Sequence, residues 1–93
     1  MPIRFEWDKA KNRANIKKHG ISFEQASAIF DGFVLTQEDD RFDYGETRWL
    51  SIGRLADAVV LVVIHTDRQE TIRIISARPA SRRERRIYYE ALY

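Results

Sequence analysis

The chain has 93 residues, of which 44% are hydrophobic and 32% charged, and its formal net charge is +2. This length predicts a single domain, residues 1–93, with one small core. No cysteine is present, which excludes disulfides and thiolate metal sites and fits a reducing cytoplasm. The longest apolar run, residues 58–64, is too short to cross a membrane, and the N-terminus lacks the apolar segment of a signal peptide.

The charge is unevenly distributed along the chain. Residues 1–30 carry six basic and three acidic side chains, residues 31–47 carry one and six, and residues 48–93 carry nine and five. A basic body favours a polyanionic partner. The acidic segment favours a second partner, which would be basic.

The N-terminal third predicts a strand followed by two helices. Ile3–Trp7 alternates apolar and polar residues, which is typical of a half-buried strand. Asp8 is a suitable N-cap for a strongly basic helix that ends at Gly20 and lies on the surface. Ser22 and Gln25 have the spacing of a capping box, which predicts the start of a second helix.

The middle of the chain predicts strands around an acidic loop. Gly32 ends the second helix, and Phe33–Thr36 predicts a short strand. Residues 37–46 (QEDDRFDYGE) are acidic and lack periodicity, so we expect a loop. Thr47–Arg54 alternates as a strand does, and Asp57–Thr66 is apolar on both faces, which predicts a central strand covered on both sides.

The C-terminal third predicts a last strand that passes directly into a helix. The short connection Asp67–Gln69 predicts a hairpin into the β-branched segment Thr71–Ala77. Pro79 ends that strand, and Ser81 with Glu84 forms a second capping box. The order β-α-α-β-β-β-β-α predicts an α+β fold with helices on a small antiparallel sheet.

Three phrases of the sequence are distinctive: FEWDKAKNRANIKKHGISFEQA (residues 5–26), RWLSIGR (48–54) and IRIISARPASRRERRIYYE (72–90). In this order they make the chain similar to the BrnT family of bacterial toxins. The resemblance implies a RelE-like fold and ribonuclease activity that arrests growth. It also implies a cognate, BrnA-like antitoxin that binds DNA, so that operator DNA is contacted only through the antitoxin.

Arginines are the main candidates for the cleavage site. RNA cleavage without a metal or other cofactor requires cations that hold the phosphate and stabilise its developing charge, and we expect Arg73 and Arg78 to do so. Strand alternation places these two on opposite faces of the last strand. Arg48 and Arg54 share a face with the apolar residues between them and emerge at opposite ends of it. We expect Arg48 to act in catalysis and Arg54 to bind RNA. The alternative is that one or two of these arginines pair with the acidic loop at Asp39, Asp40 and Asp43.

Two further residues are candidates for proton transfer. His65 ends the central strand, and histidine titrates near neutral pH. The alternative is a histidine that faces solvent or bonds a loop carbonyl. Tyr88 can supply a phenol proton or stack on a base, and the alternative is that it packs against the sheet.

The remaining candidates concern binding. We expect RNA contacts from the basic residues Arg82, Arg83, Arg86 and Lys18. Acidic residues of the loop suggest a docking strip for a basic antitoxin segment, and the alternative is a solvated loop; they are Asp39, Asp40 and Asp43. The loop lacks calcium-loop spacing, so no metal site is expected, and no Ser-His-Asp arrangement is apparent.

Two other functions fit the same residues. A non-catalytic nucleic-acid-binding module would use the same basic surface without cleaving RNA. A protein-interaction subunit would use the acidic loop and the basic helices only to hold a partner.

Overall fold

The computed structural model describes residues 3–93, so residues 1–2 of the predicted domain lie outside it. The elements follow the predicted order and confirm the α+β fold. They are β1 (Arg4–Trp7), α1 (Lys9–His19), α2 (Phe23–Ser27), a 3-10 helix (Ala28–Asp31), β2 (Val34–Glu38), β3 (Trp49–Ala56), β4 (Val59–Arg68), β5 (Thr71–Pro79) and α3 (Arg82–Leu92).

The five strands form one sheet in the order β1-β5-β4-β3-β2. Strands β2 to β5 form an antiparallel meander, which includes the predicted hairpin of β4 and β5. The sheet differs from the prediction at one edge, where β1 pairs with β5 in parallel. This pairing joins the two ends of the chain, and α1 and α2 carry the backbone from β1 to the opposite edge. A pairing so distant in sequence leaves no local signal that predicts it.

Side chains cap the helices at the predicted residues. The Asp8 carboxylate accepts a hydrogen bond from the backbone N–H of Lys11, and Gly20 ends α1 in the left-handed conformation with φ 72°. Ser22 and Ser81 each form a complete capping box, with Gln25 and Glu84 respectively. These caps satisfy backbone donors that the first turns of the helices leave without partners.

The sheet has a buried core on each face. The first core lies between the sheet and α2, on the side we name the α2 face; it contains Phe23, Ala26, Ile29, Leu61, Val63, Ile72, Ile74 and Ala77. The second lies under α3, on the α3 face; it contains Ile52, Val60, Val62, Ile64 and Tyr88. Strand β4 contributes to both cores, which confirms that it is the central strand.

Gly53 lets the 3-10 helix rest directly on β3. A Cβ atom at this position would lie 2.8 Å from Cβ of Ile29, closer than carbon atoms approach. Glycine is therefore needed where the two backbones meet.

Helix α1 is held to the sheet by polar groups. Its buried residue is Asn15, whose Nδ2 donates to the carbonyl oxygens of Ile21 (2.9 Å) and Ala77 (2.8 Å). Its Oδ1 accepts from the Ala77 N–H at 3.2 Å. The pairing of β1 with β5 ends at Ile74, so Asn15 bonds the β5 backbone where the neighbouring strand has stopped. The Asn15 amide thus pairs with the backbone groups of Ala77 that a neighbouring strand would otherwise bind.

We predict that Asn15→Ala lowers the free energy of unfolding by about 2–3 kcal/mol, because buried backbone groups of Ala77 and Ile21 lose their partners. Urea denaturation monitored by circular dichroism measures the change. The matched control is Ile16→Ala on the same helix, where the side chain is 44% exposed and the expected change is within about 0.5 kcal/mol. Equal losses in the two variants would contradict the role given to Asn15.

Candidate nucleic-acid interface

A β-bulge in β5 puts Arg73 and Arg78 on the same face of the sheet. Ile64 pairs with Ser76 and His65 pairs with Ile74, so Ile75 is an extra residue in β5. An extra residue reverses the alternation of side chains beyond it. The prediction of opposite faces is therefore wrong, and both arginines lie on the α3 face.

Arg73 lies in a shallow depression on that face. Its Nη1 donates to Oε2 of Glu6 at 2.6 Å, and the two side chains are 45% and 51% exposed. The depression has a volume of about 100 Å³ and is lined by Glu6, Thr66, Arg68, Thr71 and Arg73. Two guanidinium groups and two hydroxyls supply hydrogen-bond donors for a phosphate, and the carboxylate supplies a proton acceptor.

Arg48 adds a third guanidinium group to these donors, on the neighbouring side of the sheet. Trp49 pairs with His65, and the same register extended by one residue places Arg48 opposite Thr66. On its other side Thr66 pairs with Arg73. Neighbouring strands lie about 4.8 Å apart, so the two arginines flank Thr66 with their Cα atoms roughly 10 Å from each other.

The Arg48 side chain is held by the acidic loop but keeps an unused donor. Its guanidinium carbon lies 3.9 Å from the centroid of the Tyr44 ring. Its Nε lies 3.5 Å from Oε2 of Glu46, which is an ion-pair distance without hydrogen-bond geometry. This Nε is buried and has no hydrogen-bond partner among residues 3–93.

Arg78 is tied to α3. Its two terminal nitrogens donate to the two carboxylate oxygens of Glu84, each at 2.8 Å. The hydrogen bond from Arg78 is the largest cause that lowers the pKa of Glu84 to about 2, against the opposing effect of burial. Glu84 also accepts from the Ser81 N–H at 2.8 Å. Arg78 therefore fixes the start of α3 on β5.

Helix α3 covers only part of its face and leaves a groove beside it. The groove has a volume of about 310 Å³ and is lined by Leu35, Thr36, Gln37, Leu50, Ile52, Glu84 and Ile87. We name the uncovered surface the open half. It comprises this groove, the depression around Arg73, and Arg48.

Arg54 lies in a different place. It lines a larger cavity of about 560 Å³ together with Phe33, Tyr88 and Leu92. Arg54 lies six positions along the chain from Arg48, a distance of roughly 20 Å in an extended strand. The strand arginines thus share one face of the sheet without sharing one concavity.

The other predicted RNA-binding residues lie on exposed helix surfaces. Arg83 is one helical turn from Ile87, so it borders the groove. Lys18 lies on α1, away from the α3 face. The exposed side chains are Arg82, Arg83, Arg86 and Lys18.

Two residues predicted to be catalytic lie in the interior. His65 is 2% exposed and points to the α2 face, where its ring meets Phe30 edge-on with centroids 5.2 Å apart. Tyr88 is 2% exposed, and its hydroxyl donates to the Phe33 carbonyl at 2.8 Å. In this arrangement neither side chain faces the open half, and the packing alternative describes the position of Tyr88.

His65 belongs to a hydrogen-bonded chain across three strands. Its Nδ1 lies 2.6 Å from the Asp67 carboxylate, its Nε2 lies 2.8 Å from Oγ of Ser51, and that hydroxyl lies 2.8 Å from Oγ1 of Thr36. A carboxylate only accepts, so Nδ1 donates to it. This is the Ser-His-Asp order that the sequence analysis did not find. Ser51 is fully buried, however, so its hydroxyl is not accessible to a substrate.

The acidic loop is folded around Asp39. This residue is 5% exposed, and its carboxylate accepts from Arg41 at 2.8 and 3.1 Å and from the Tyr44 hydroxyl at 3.4 Å. The bonds from Arg41 hold the pKa of Asp39 below its usual value. Asp39 is therefore not available for docking, whereas Asp40 and Asp43 are exposed.

Two searches of the described part of the chain concern metals and membranes. Among residues 3–93, no group of three or more His, Cys, Asp or Glu side chains has a metal-binding arrangement. Within the same residues, no helix combines the length and apolar character needed to cross a membrane.

Sequence reasoning missed Glu6 and Thr66. Both side chains point to the α3 face by simple alternation. For Glu6 this agrees with the alternating apolar and polar residues predicted for the first strand. What the sequence does not contain is the pairing of β1 with β5, which brings Glu6 beside Arg73. No motif connects these two residues, which are 67 positions apart.

Comparisons with known proteins agree with this architecture. A family described as "Ribonuclease toxin, BrnT, of type II toxin-antitoxin system" matches residues 7–84. The crystal structure of the Brucella abortus ribonuclease toxin BrnT, solved at 1.1 Å resolution, is similar with a TM-score of 0.63 and 25% identity. The match covers 86% of this chain and 99% of the Brucella chain. No protein in the curated set matches significantly.

The fold and the family match place the chain among the ribonuclease toxins of type II toxin–antitoxin systems. More particularly, the chain belongs to the BrnT family, because the family model covers most of its length. Membership implies ribonuclease activity and an antitoxin partner.

The Arg78–Glu84 pair predicts a loss of stability in acid. The pKa of Glu84 is about 2 in the folded protein and 4.5 as its reference value, so the pair stabilises the fold fully above about pH 4.5. That stability is lost as the pH falls toward 2. We expect Glu84→Gln to cost about 1–2 kcal/mol at pH 7, and we expect the difference from wild type to shrink between pH 4.5 and 3.

Urea denaturation of both proteins at several pH values measures this difference. Glu90→Gln, an exposed change on the same helix, is the control and should leave stability nearly unchanged. A Glu84→Gln deficit that stays constant from pH 7 to 3 would show that the lost charge is not its cause.

Proposed function

We propose that the protein is a metal-independent endoribonuclease that cuts single-stranded RNA at the open half and arrests growth in the cytoplasm. The observation that carries this proposal is the exposed cluster of Arg73, Arg68, Thr66 and Thr71 beside the Glu6 carboxylate. Guanidinium groups supply the positive charge that a metal would otherwise supply to the reacting phosphate.

The reaction follows from the groups in the depression. The ribose 2′-oxygen attacks the adjacent phosphorus, the bond to the 5′-oxygen breaks, and the products are a 2′,3′-cyclic phosphate and a 5′-hydroxyl. Glu6 accepts the proton of the 2′-hydroxyl, because it has an exposed carboxylate in the depression. Arg73 stabilises the charge that develops on the phosphate, and the Arg48 guanidinium, across Thr66 from it, adds positive charge. Water supplies the proton that the 5′-oxygen gains.

The groove offers a binding site for a nucleobase of the RNA. Its floor is formed by apolar side chains, Leu35, Leu50 and Ile52, and its rim by Gln37 and Glu84. An unstacked base fits an apolar floor with polar groups at its edge, whereas a base in a duplex stays stacked. The proposed substrate is therefore single-stranded.

Other predicted residues have supporting roles in this proposal. Arg78 positions α3 through Glu84, while His65 and Tyr88 stabilise the two cores that hold β3, β4 and α3 in register. The exposed cations bind RNA beyond the cleavage site; they are Arg54, Arg82, Arg83 and Arg86.

We also propose that the acidic loop contacts the antitoxin. Asp40 and Asp43 are exposed there, and Phe42 between them is 67% exposed. A basic segment with an apolar residue complements this surface. The antitoxin carries the DNA-binding part, so operator DNA is bound only through it.

We predict that Arg73→Ala reduces the cleavage rate of single-stranded RNA in EDTA by roughly 100- to 1,000-fold, because a transition-state donor is lost. Arg73 forms an exposed ion pair, so its removal should change stability by about 1 kcal/mol or less. The measurement is the initial rate of cleavage of a labelled oligonucleotide. The control is Arg85→Ala, an exposed change on α3 with an unchanged rate expected.

Glu6→Gln tests the proposed proton acceptor separately from Arg73, which stabilises the charge on the phosphate. A lost base lowers kcat with little change in KM. Full activity of Arg73→Ala would show that the phosphate binds elsewhere. Intact RNA after prolonged incubation with wild-type protein would argue against free ribonuclease activity.

For the antitoxin, we predict that the double variant Asp40→Asn, Asp43→Asn slows association severalfold at low salt, because both charges attract a basic partner. Surface plasmon resonance with the purified antitoxin measures the rate. Glu90→Gln is the control at a distant acidic residue. An association rate equal to that of wild type would place the antitoxin contact outside the acidic loop.

A further inference from the structure

Helix α1 carries an unusual amount of positive charge for a helix that folding leaves on the surface. Between Lys9 and His19 it contains no acidic residue, and five of its residues are lysine or arginine. All five side chains are exposed: Lys9, Lys11, Arg13, Lys17 and Lys18. Within residues 3–93, none of them lies within 4 Å of a carboxylate.

This charge pattern opposes helix stability. Lys9 and Lys11 lie in the first turn, where the helix dipole repels cations and where acidic residues are absent. Lys9, Arg13 and Lys17 follow one another at four-residue spacing, where like charges repel. Folding accounts for Lys17 and Lys18, which suit the last turn, and the Asp8 carboxylate at the N-cap attracts Lys11, but folding offers no reason for Lys9 and Arg13.

The cations are arranged in two rows. Four-residue spacing places Lys9, Arg13 and Lys17 in one row, with axial steps of about 6 Å, and Lys11 and Lys18 form a second row. Exposed alanines, Ala10 and Ala14, lie on the surface between the rows. Small side chains between cations allow a nucleic-acid backbone to approach the helix closely.

The position of α1 connects this surface to the cleavage site. The helix packs against β5, the strand that carries Arg73 and Arg78. Asn15 fixes it at Ala77, which directly precedes Arg78. An RNA strand that leaves the α3 face around the C-terminal part of β5, where β1 no longer pairs with it, therefore reaches α1 on the other side.

We propose that α1 is a second phosphate-binding surface, which engages the backbone of long RNA outside the cleavage site. This proposal rests on the proposed ribonuclease function and adds a substrate class to it. Long RNAs occupy both surfaces, whereas an RNA of a few nucleotides occupies only the open half. The affinity for long RNA then depends more steeply on salt, because more phosphates are neutralised.

The test uses 2′-O-methyl RNA, which binds but lacks the attacking hydroxyl, so its result does not depend on cleavage. Fluorescence anisotropy compares a trinucleotide with an RNA of about 20 nucleotides, longer than one compact single-strand site. The variant is Lys9→Gln, Arg13→Gln, Lys17→Gln. The matched control, Lys9→Arg, Arg13→Lys, Lys17→Arg, keeps every charge.

The glutamine variant should bind the long RNA about tenfold more weakly, with a salt slope smaller by about 2, since three phosphate contacts are lost. It should bind the trinucleotide within about twofold of wild type, and the charge-preserving control should match wild type on both RNAs. The melting temperature of the glutamine variant should equal or exceed that of wild type, because repulsion between the cations is removed. Unchanged binding of long RNA, an equal loss on both RNAs, or a loss in the charge-preserving control would each overturn the proposal.

Discussion

The extra residue at Ile75 in β5 is the constraint on which the proposed site depends. Without it, strand alternation would put Arg73 and Arg78 on opposite faces, and one of them would point into the core on the α2 face. With it, Ile72, Ile74 and Ala77 all enter that core while both arginines stay on the other face. Asn15 holds the strand just after the bulge, through the N–H and the carbonyl of Ala77. A helix without an apolar face thereby stabilises the strand geometry that the site requires.

The two arginines have different tasks once they share a face. Arg78 is engaged by both oxygens of Glu84 and fixes a helix, whereas Arg73 makes one contact with an exposed carboxylate and keeps donors free. Arg78 therefore contributes to stability, whereas Arg73 is available for the proposed chemistry. The same separation applies to histidine and tyrosine. His65 and Tyr88 have the chemistry of catalytic groups, yet both are used to hold strands and a helix together.

Much of the fold was readable from the sequence because it rests on local patterns. Period-two alternation, the Ser22 and Ser81 capping boxes and the apolar run of β4 predicted the element order and the central strand. The site was less readable because its geometry depends on distant pairings. The bulge at Ile75 lies in a continuous β-branched run without glycine, and the parallel contact of β1 with β5 joins opposite ends of the chain. Composition indicated that arginines would bind phosphate, but it did not indicate Glu6 or the burial of Asp39.

The family match establishes a ribonuclease toxin, and the proposed mechanism requires that RNA binds at the open half. Titration of isotope-labelled protein with an uncleavable 2′-O-methyl trinucleotide, followed by NMR of the arginine Nε–H groups, tests this claim most directly. If RNA binds at the open half, the signals of Arg73 and Arg68 shift together with the backbone signal of Thr66. Shifts concentrated at Arg54, Phe33 and Leu92 around the larger cavity, with Arg73 unchanged, would contradict it.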